Sequence, residues 1–216
     1  MSLAFVGVAG GMAEADGHGS PIARSPMERL ARAAGGRFEV RDGWNVAVAY
    51  GGGPQAGRGT VGWADVSHLR KWELDGAGGE FGTATRHGDG WLCPLTPSRA
   101  LLIGASEPPD GALDVTCSYS ALTILGPLAR ETIARFCALD LRPQASPPQS
   151  FRPGSIARQP GMIVVEAPDR FLLLFGWAVG EYMWTVVEDA ARSLGGAPVG
   201  VDALEPVGTE EAAARA

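Results

Sequence analysis

Lysine is almost absent from this chain. Lys71 stands alone, so nearly all basic charge is arginine, and the formal net charge is −6. Phosphate binding needs a basic surface, so no nucleic-acid partner is expected. The same acidity gives no support for binding at an anionic membrane surface, and no membrane partner is expected. Cysteine is scarce: Cys93, Cys117 and Cys137 are odd in number and widely spaced, with no C-x-x-C pair. Neither a disulfide framework nor a zinc site is expected from that pattern. The three histidines, His18, His68 and His87, have no ligand spacing either, so no metal is expected. No apolar run reaches the length of a transmembrane helix. The opening MSLAFVGVAGGMAEADG has a short apolar stretch without a positive start, a poor signal peptide, and a cytoplasmic location is expected.

What is present describes an ordinary globular chain. Hydrophobic residues make up 45% and charged residues 19% of 216, enough for one domain with a sizeable core. Gly 31 and Pro 16 imply many turns. Residues 1–24 are small and aperiodic and read as a flexible leader; residues 206–216 read as a polar, alanine-rich tail. Between them, Ser25-Pro26 opens a helix over 27–34 that Gly35-Gly36 stops. Phe38 to Tyr50 reads as strand with a turn at Asp42-Gly43. Val61 to Leu74 bears strand, and Gly76 to Gly90 reads as loop. Arg99 to Gly104 is a short apolar strand.

The most patterned stretch runs from Asp114 to Leu141. Tyr119 to Leu125 is a short apolar run of strand type, broken by Gly126-Pro127. Pro127 suits the first turn of a helix. Ala129, Ile133, Phe136 and Cys137 then repeat at the spacing of one buried helical face, giving a helix over 127–138. Pro143 to Pro153 is a linker that cannot hold helix or central strand. Met162 to Val165 and Phe171 to Phe175 read as a hairpin around a polar turn, where Glu166 and Asp169 are expected to be exposed. A last helix spans 178–193, ended by Gly195-Gly196. Such an order predicts an α+β layered sandwich, with helices on one face of a mixed or antiparallel sheet.

The wording of these segments is more specific than their pattern. ALTILGPLARETIARFCALDL, from Ala121, resembles a segment of the glycine-cleavage T-protein (aminomethyltransferase) family. It is still more similar to that family's relative, the gamma subunit of heterotetrameric sarcosine oxidase, where CALDL-x-P wording leads into a Pro-rich loop. RFEVRDGWNVAVAY, TVGWADVSHLRKWEL and GGAPVGVDALE resemble further family segments in the same order. The resemblance covers roughly residues 25–205 and implies the aminomethyltransferase-type folate-binding-domain fold.

Its departures bear on function. In the family a glutamate holds the pterin ring; here Leu172 falls at that position and the Gly-Tyr-Thr-Gly portion is missing. The family's catalytic aspartate lies near a position that Cys93-Pro94 occupies, with Asp89 ahead of the strand. The resemblance therefore implies a non-catalytic accessory protein of sarcosine or one-carbon metabolism. Its expected partners are larger subunits in a sarcosine oxidase-like complex, or copies of itself. The alternative is a free-standing tetrahydrofolate-dependent aminomethyltransferase. A folate-dependent regulator carrying KGCYxGQE ranks last, since no cysteine here sits in that motif. No catalytic residue is assigned. Tetrahydrofolate stays open as a ligand, while FAD and NAD are not expected, because no Gly-rich turn joins a strand to a helix in the dinucleotide manner.

Asp65, Ser67 and His68 are the candidate site-lining residues. If they continue a strand, Asp65 and Ser67 face one side and His68 the other, which excludes a relay among them. Gly51-Gly52-Gly53 and the N-terminal glycines lack the context of a phosphate loop.

Overall fold

A computed structural model describes residues 21–52, 59–76 and 79–204. The N-terminal glycines, Gly53, the expected leader up to residue 20 and the expected tail lie outside them.

The chain opens with β1 (Ala23–Arg24), α1 (Glu28–Ala33), β2 (Arg37–Arg41) and β3 (Trp44–Ala49). Ala23 and Arg24, placed by sequence in the leader, pair in parallel with Trp44 and Asn45. Ser25 Oγ accepts the Met27 N–H at 3.1 Å ahead of α1. Gly35, at φ +87°, ends the helix as expected of a C-terminal glycine. Asp42 and Gly43 take φ of +48° and +77°, the two positive values of a type I′ hairpin turn.

Next come β4 (Gly62–Asp65), β5 (Lys71–Asp75), β6 (Thr85–His87), β7 (Gly90–Thr96), β8 (Arg99–Ile103), β9 (Leu113–Asp114) and β10 (Tyr119–Leu125). Strand β6 falls within the stretch read as loop. It is short, fully exposed and polar, and only pairing with β7 reveals it. The rest are α2 (Ala129–Ala134), β11 (Phe151–Ile156), β12 (Gln159–Ala167), β13 (Arg170–Gly176), α3 (Gly180–Arg192) and β14 (Ala197–Pro198). Helix α2 is shorter than the expected 127–138. Strand β11 carries Pro153, and it is tolerated because β11 lies at a sheet edge.

Three sheets result: β1-β3-β2, β11-β12-β13-β10-β4-β14 and β6-β7-β8-β5-β9. The six-stranded sheet is central. On one face, Trp63, Leu122, Ile124 and Leu173 pack with Met27 and Ala31 of α1, Ile133 of α2 and Met183, Trp184 and Val187 of α3. On the other face, Ala64, Ala121, Val164, Leu172 and Leu174 pack with Trp91, Cys93, Leu101 and Ile103 of the five-stranded sheet. Alternation along each strand makes this possible, since every second side chain changes face. The molecule is thus α+β, with helices on one face of the central sheet and a second sheet on the other.

Candidate functional site

Strand β4 ends at Asp65 and the chain turns at once. Ser67 N–H donates to Asp65 Oδ1 at 3.0 Å across that turn. The strand expected to continue through Ser67 and His68 stops here, because the chain turns after Asp65. Asp65 and Ser67 meet through the turn, a local option that short acceptor side chains offer the backbone. Ser67 Oγ also accepts the Ala121 N–H of β10 at 3.1 Å. Ser25 Oγ lies 3.5 Å from Ser67 Oγ. All of Ser67 and nearly all of Asp65 are buried. Burial raises the Asp65 carboxyl above its ordinary value, against hydrogen bonds from Ser25 and Ser67 and the charge of Lys71.

His68 is half-buried. No hydrogen bond joins it to Asp65 or Ser67 among the described residues. Burial, with the charges of Lys71 and Arg41, lowers its pKa to about 4 against the pull of Asp42. It is therefore neutral at physiological pH.

The sequence reading missed the most unusual member of this cluster. Lys71, the single lysine, is wholly buried. Its ammonium donates to the Ser67 carbonyl at 2.9 Å and the Leu69 carbonyl at 2.8 Å. Its own N–H donates to Thr116 Oγ1 at 3.0 Å. Burial lowers its pKa to about 8, against the charges of Asp65, Cys117 and Asp114. The rarity of lysine was the available signal. What the cluster does chemically is tie a turn: its hydroxyl and ammonium groups are committed to backbone, and its carboxyl is shielded from solvent.

The second polar cluster lies between the two large sheets. Glu166 is buried, which corrects its assignment to an exposed turn. Alternation along β12 puts it on the face of Met162 and Val164, toward the five-stranded sheet. There Glu166 Oε1 accepts the Trp91 Nε1–H at 2.8 Å, and Arg170 Nε donates to Oε2 at 2.9 Å. The guanidinium of Arg86 covers the Trp91 ring at 4.6 Å. Trp91 is thus a link between sheets.

Leu172 and Cys93 belong to the apolar layer beside this link. Leu172 pairs with Thr123 and Val164 and is almost wholly buried. Cys93 is also buried, and burial, with the charge of Glu166, raises its thiol well above the ordinary range. A thiol so placed stays protonated and is a poor nucleophile. Asp89 is exposed in the turn between β6 and β7. Among the described residues, no group of three or more His, Cys, Asp or Glu side chains could hold a metal ion. No helix among them is long and apolar enough to cross a membrane. Open surface grooves flank α2, two of them with cavity volumes of about 470 Å³ each.

No family model matches the chain. A curated aminomethyltransferase of Picosynechococcus sp. is 43% identical over 58 residues, a match that spans 26% of this chain and 16% of that relative. A chain of a heterotetrameric sarcosine oxidase from Corynebacterium sp., solved in complex with pyrrole 2-carboxylate, superposes with a TM-score of 0.63 at 19% identity. That superposition covers 82% of this chain and 99% of the sarcosine oxidase chain. The glycine cleavage system aminomethyltransferase T from Bartonella henselae superposes with a TM-score of 0.64 at 14% identity, over 84% of this chain and 60% of that one. The chain therefore has the α+β fold that these aminomethyltransferase and sarcosine oxidase structures share.

Proposed function

We propose that this chain is a non-catalytic accessory subunit of the sarcosine oxidase type, working in a cytoplasmic complex of one-carbon metabolism. The observation that carries this is the extent of the superposition. It takes in 99% of one chain of a heterotetramer but only 60% of an aminomethyltransferase. The inter-sheet layer supports the same reading. Leu172, where the resemblance puts a pterin-holding glutamate, is an apolar side chain sealed between β10 and β12. It cannot accept the paired N–H donors of a pterin, so the residues at this position do not fit that group. Asp65, Ser67 and His68 then act as structural lining of the fold.

A specific observation favours the second reading, a free-standing aminomethyltransferase: the 58-residue match at 43% identity is to such an enzyme. One experiment separates the two. The chain is titrated with tetrahydrofolate by intrinsic tryptophan fluorescence, and co-expressed with candidate larger subunits for size-exclusion chromatography with light scattering. Accessory function predicts no micromolar tetrahydrofolate binding and co-elution in a stoichiometric complex. Micromolar binding with methylene transfer by the chain alone would establish the enzyme instead.

A further inference from the structure

Among the described residues, two of the two-residue hairpin turns take positive φ at both positions, and they differ in chemistry. One uses Asp42-Gly43, in accord with its positive φ values. The other joins β11 to β12, with Ile156 paired to Gln159. Its turn residues are Ala157 at φ +49° and Arg158 at φ +64°. Such a turn favours Asn-Gly, because other side chains are strained at positive φ. The conformation is held from outside the hairpin. Ala157 N–H donates to the Phe136 carbonyl at 2.9 Å. Tyr182 Oη donates to the Ala157 carbonyl at 3.0 Å. Ala157 is buried by these contacts, whereas Arg158 is exposed. The fold thus explains the alanine but has no use for the arginine.

Arg158 stands at the rim of a groove of about 470 Å³, whose walls include Arg135, Phe136, Cys137, Tyr182 and Val186. Its lining carries two arginines and no carboxylate, on a chain of net charge −6. Arg135 is partly engaged, by Glu131 at 3.3 Å and Ser193 Oγ at 2.6 Å. Arg158 makes no ion pair with any described residue. Tyr182 is 46% exposed, one of few large apolar side chains so open. Arginine and tyrosine around an apolar floor are the residue types that dominate binding energy at protein interfaces. Pro153 and Gly154 lie within the adjoining edge strand, and the proline disfavours strand addition there.

From this we infer that the β11–β12 tip and its groove dock an acidic segment of a partner protein. An apolar side chain of that segment fills the groove and its carboxylate pairs with Arg158. This deepens the accessory reading and rests on it, by naming the surface that meets a partner.

The test uses the full chain and a fluorescein-labelled ten-residue peptide alternating glutamate with phenylalanine and leucine, read by fluorescence anisotropy. The wild type binds it, with affinity falling as salt rises. Arg158→Gly weakens binding about tenfold or more, and Tyr182→Ala by a similar factor. Arg158→Gly melts no lower than the wild type, since glycine relieves the strained position. Several results would overturn the inference: no binding by wild type at millimolar peptide, equal binding by Arg158→Gly, or equal binding of a lysine-for-glutamate peptide. Tighter binding of a single-stranded oligonucleotide would do the same, as would a melting temperature lowered by more than about 5 °C, which would make Arg158 a structural residue. None of these would touch the accessory reading, which is tested by assembly of the whole chain.

Discussion

Two buried carboxylates, Asp65 and Glu166, sit on opposite faces of the central sheet and do different work. Asp65 draws on residues near it in sequence, with Ser25 the exception. Its partner Ser67 is two residues away, and Lys71 closes the same turn by binding the Ser67 and Leu69 carbonyls. Glu166 joins parts of the chain far apart in sequence, through Trp91 of the other sheet, with Arg170 balancing its charge. The Asp65 cluster shapes a turn and keeps an ammonium at the cost of a lowered pKa. The Glu166 cluster fastens two sheets and keeps a direct ion pair. Burial of charge is tolerated in both, but only the second is compensated by an opposite charge within hydrogen-bonding distance.

The largest effect expected from breaking this contrast is at Glu166. Glu166→Ala leaves Trp91 Nε1–H unpaired and Arg170 without its carboxylate. It should cost about 3 kcal/mol in urea unfolding, since a buried indole N–H loses its acceptor and a buried ion pair is broken. A loss below about 1 kcal/mol would mean that the sheets are held by apolar packing alone.

At Lys71 the expected effect is a pH dependence. Its folded pKa of about 8 lies below the unfolded value of 10.5. Between those values the unfolded chain holds more protons, so stability rises with pH. The gain is full above the unfolded pKa and is lost as pH falls toward 8. The stability of wild type relative to Lys71→Met should rise by about 3 kcal/mol across that window. Comparison with the variant cancels the opposite trend from buried Tyr50 and Cys93, whose pKa values are raised by burial. A flat difference would place the ammonium in contact with water.

Trp91→Phe sharpens the inter-sheet side. It removes one donor while Arg170 still pairs the carboxylate, and should cost about 1–2 kcal/mol. Combined with Glu166→Ala in a double-mutant cycle, the losses should fall short of additive; strict additivity would show that the two side chains act independently.

The smallest effect belongs to His68. Its pKa is lowered from 6.5 to about 4, so the unfolded chain protonates first on acidification. The stability His68 confers is present above pH 6.5 and is lost as pH falls through about 4. Because the side chain is only half-buried, about 1 kcal/mol is expected. Asp65 contributes with the opposite sign, being raised by burial, so the measurement is again a difference, here between wild type and His68→Asn. Identical acid profiles for the two would show that His68 keeps its ordinary pKa in the fold.

Much of the fold is legible along the chain. Tyr119 to Leu125, the Asp42-Gly43 turn and the helix stops at Gly35 and Gly195 all follow from periodicity and from which residues accept positive φ. The candidate site was legible only in part. Asp65, Ser67 and His68 stood out by residue type, but the turn that brings the Ser67 N–H to Asp65 was read as strand. Lys71 was noted only as the single lysine, and Glu166 was read as an exposed turn carboxylate. Strand β6 was missed because its three residues are all exposed and carry no hydrophobic alternation.

The sequence by itself determined the local conformations, because backbone dihedrals and side-chain period depend on near neighbours. It also determined the net acidity of the chain and the apolar character of position 172. Only the tertiary structure decided which charged groups are buried. Whether Glu166 meets water or Trp91 depends on a strand 75 residues earlier in the chain. Whether Lys71 is a surface charge or a clamp on two carbonyls depends in part on the segment of Thr116, 45 residues later, that packs against it. Burial is a property of what lies opposite, and no short window of sequence contains that.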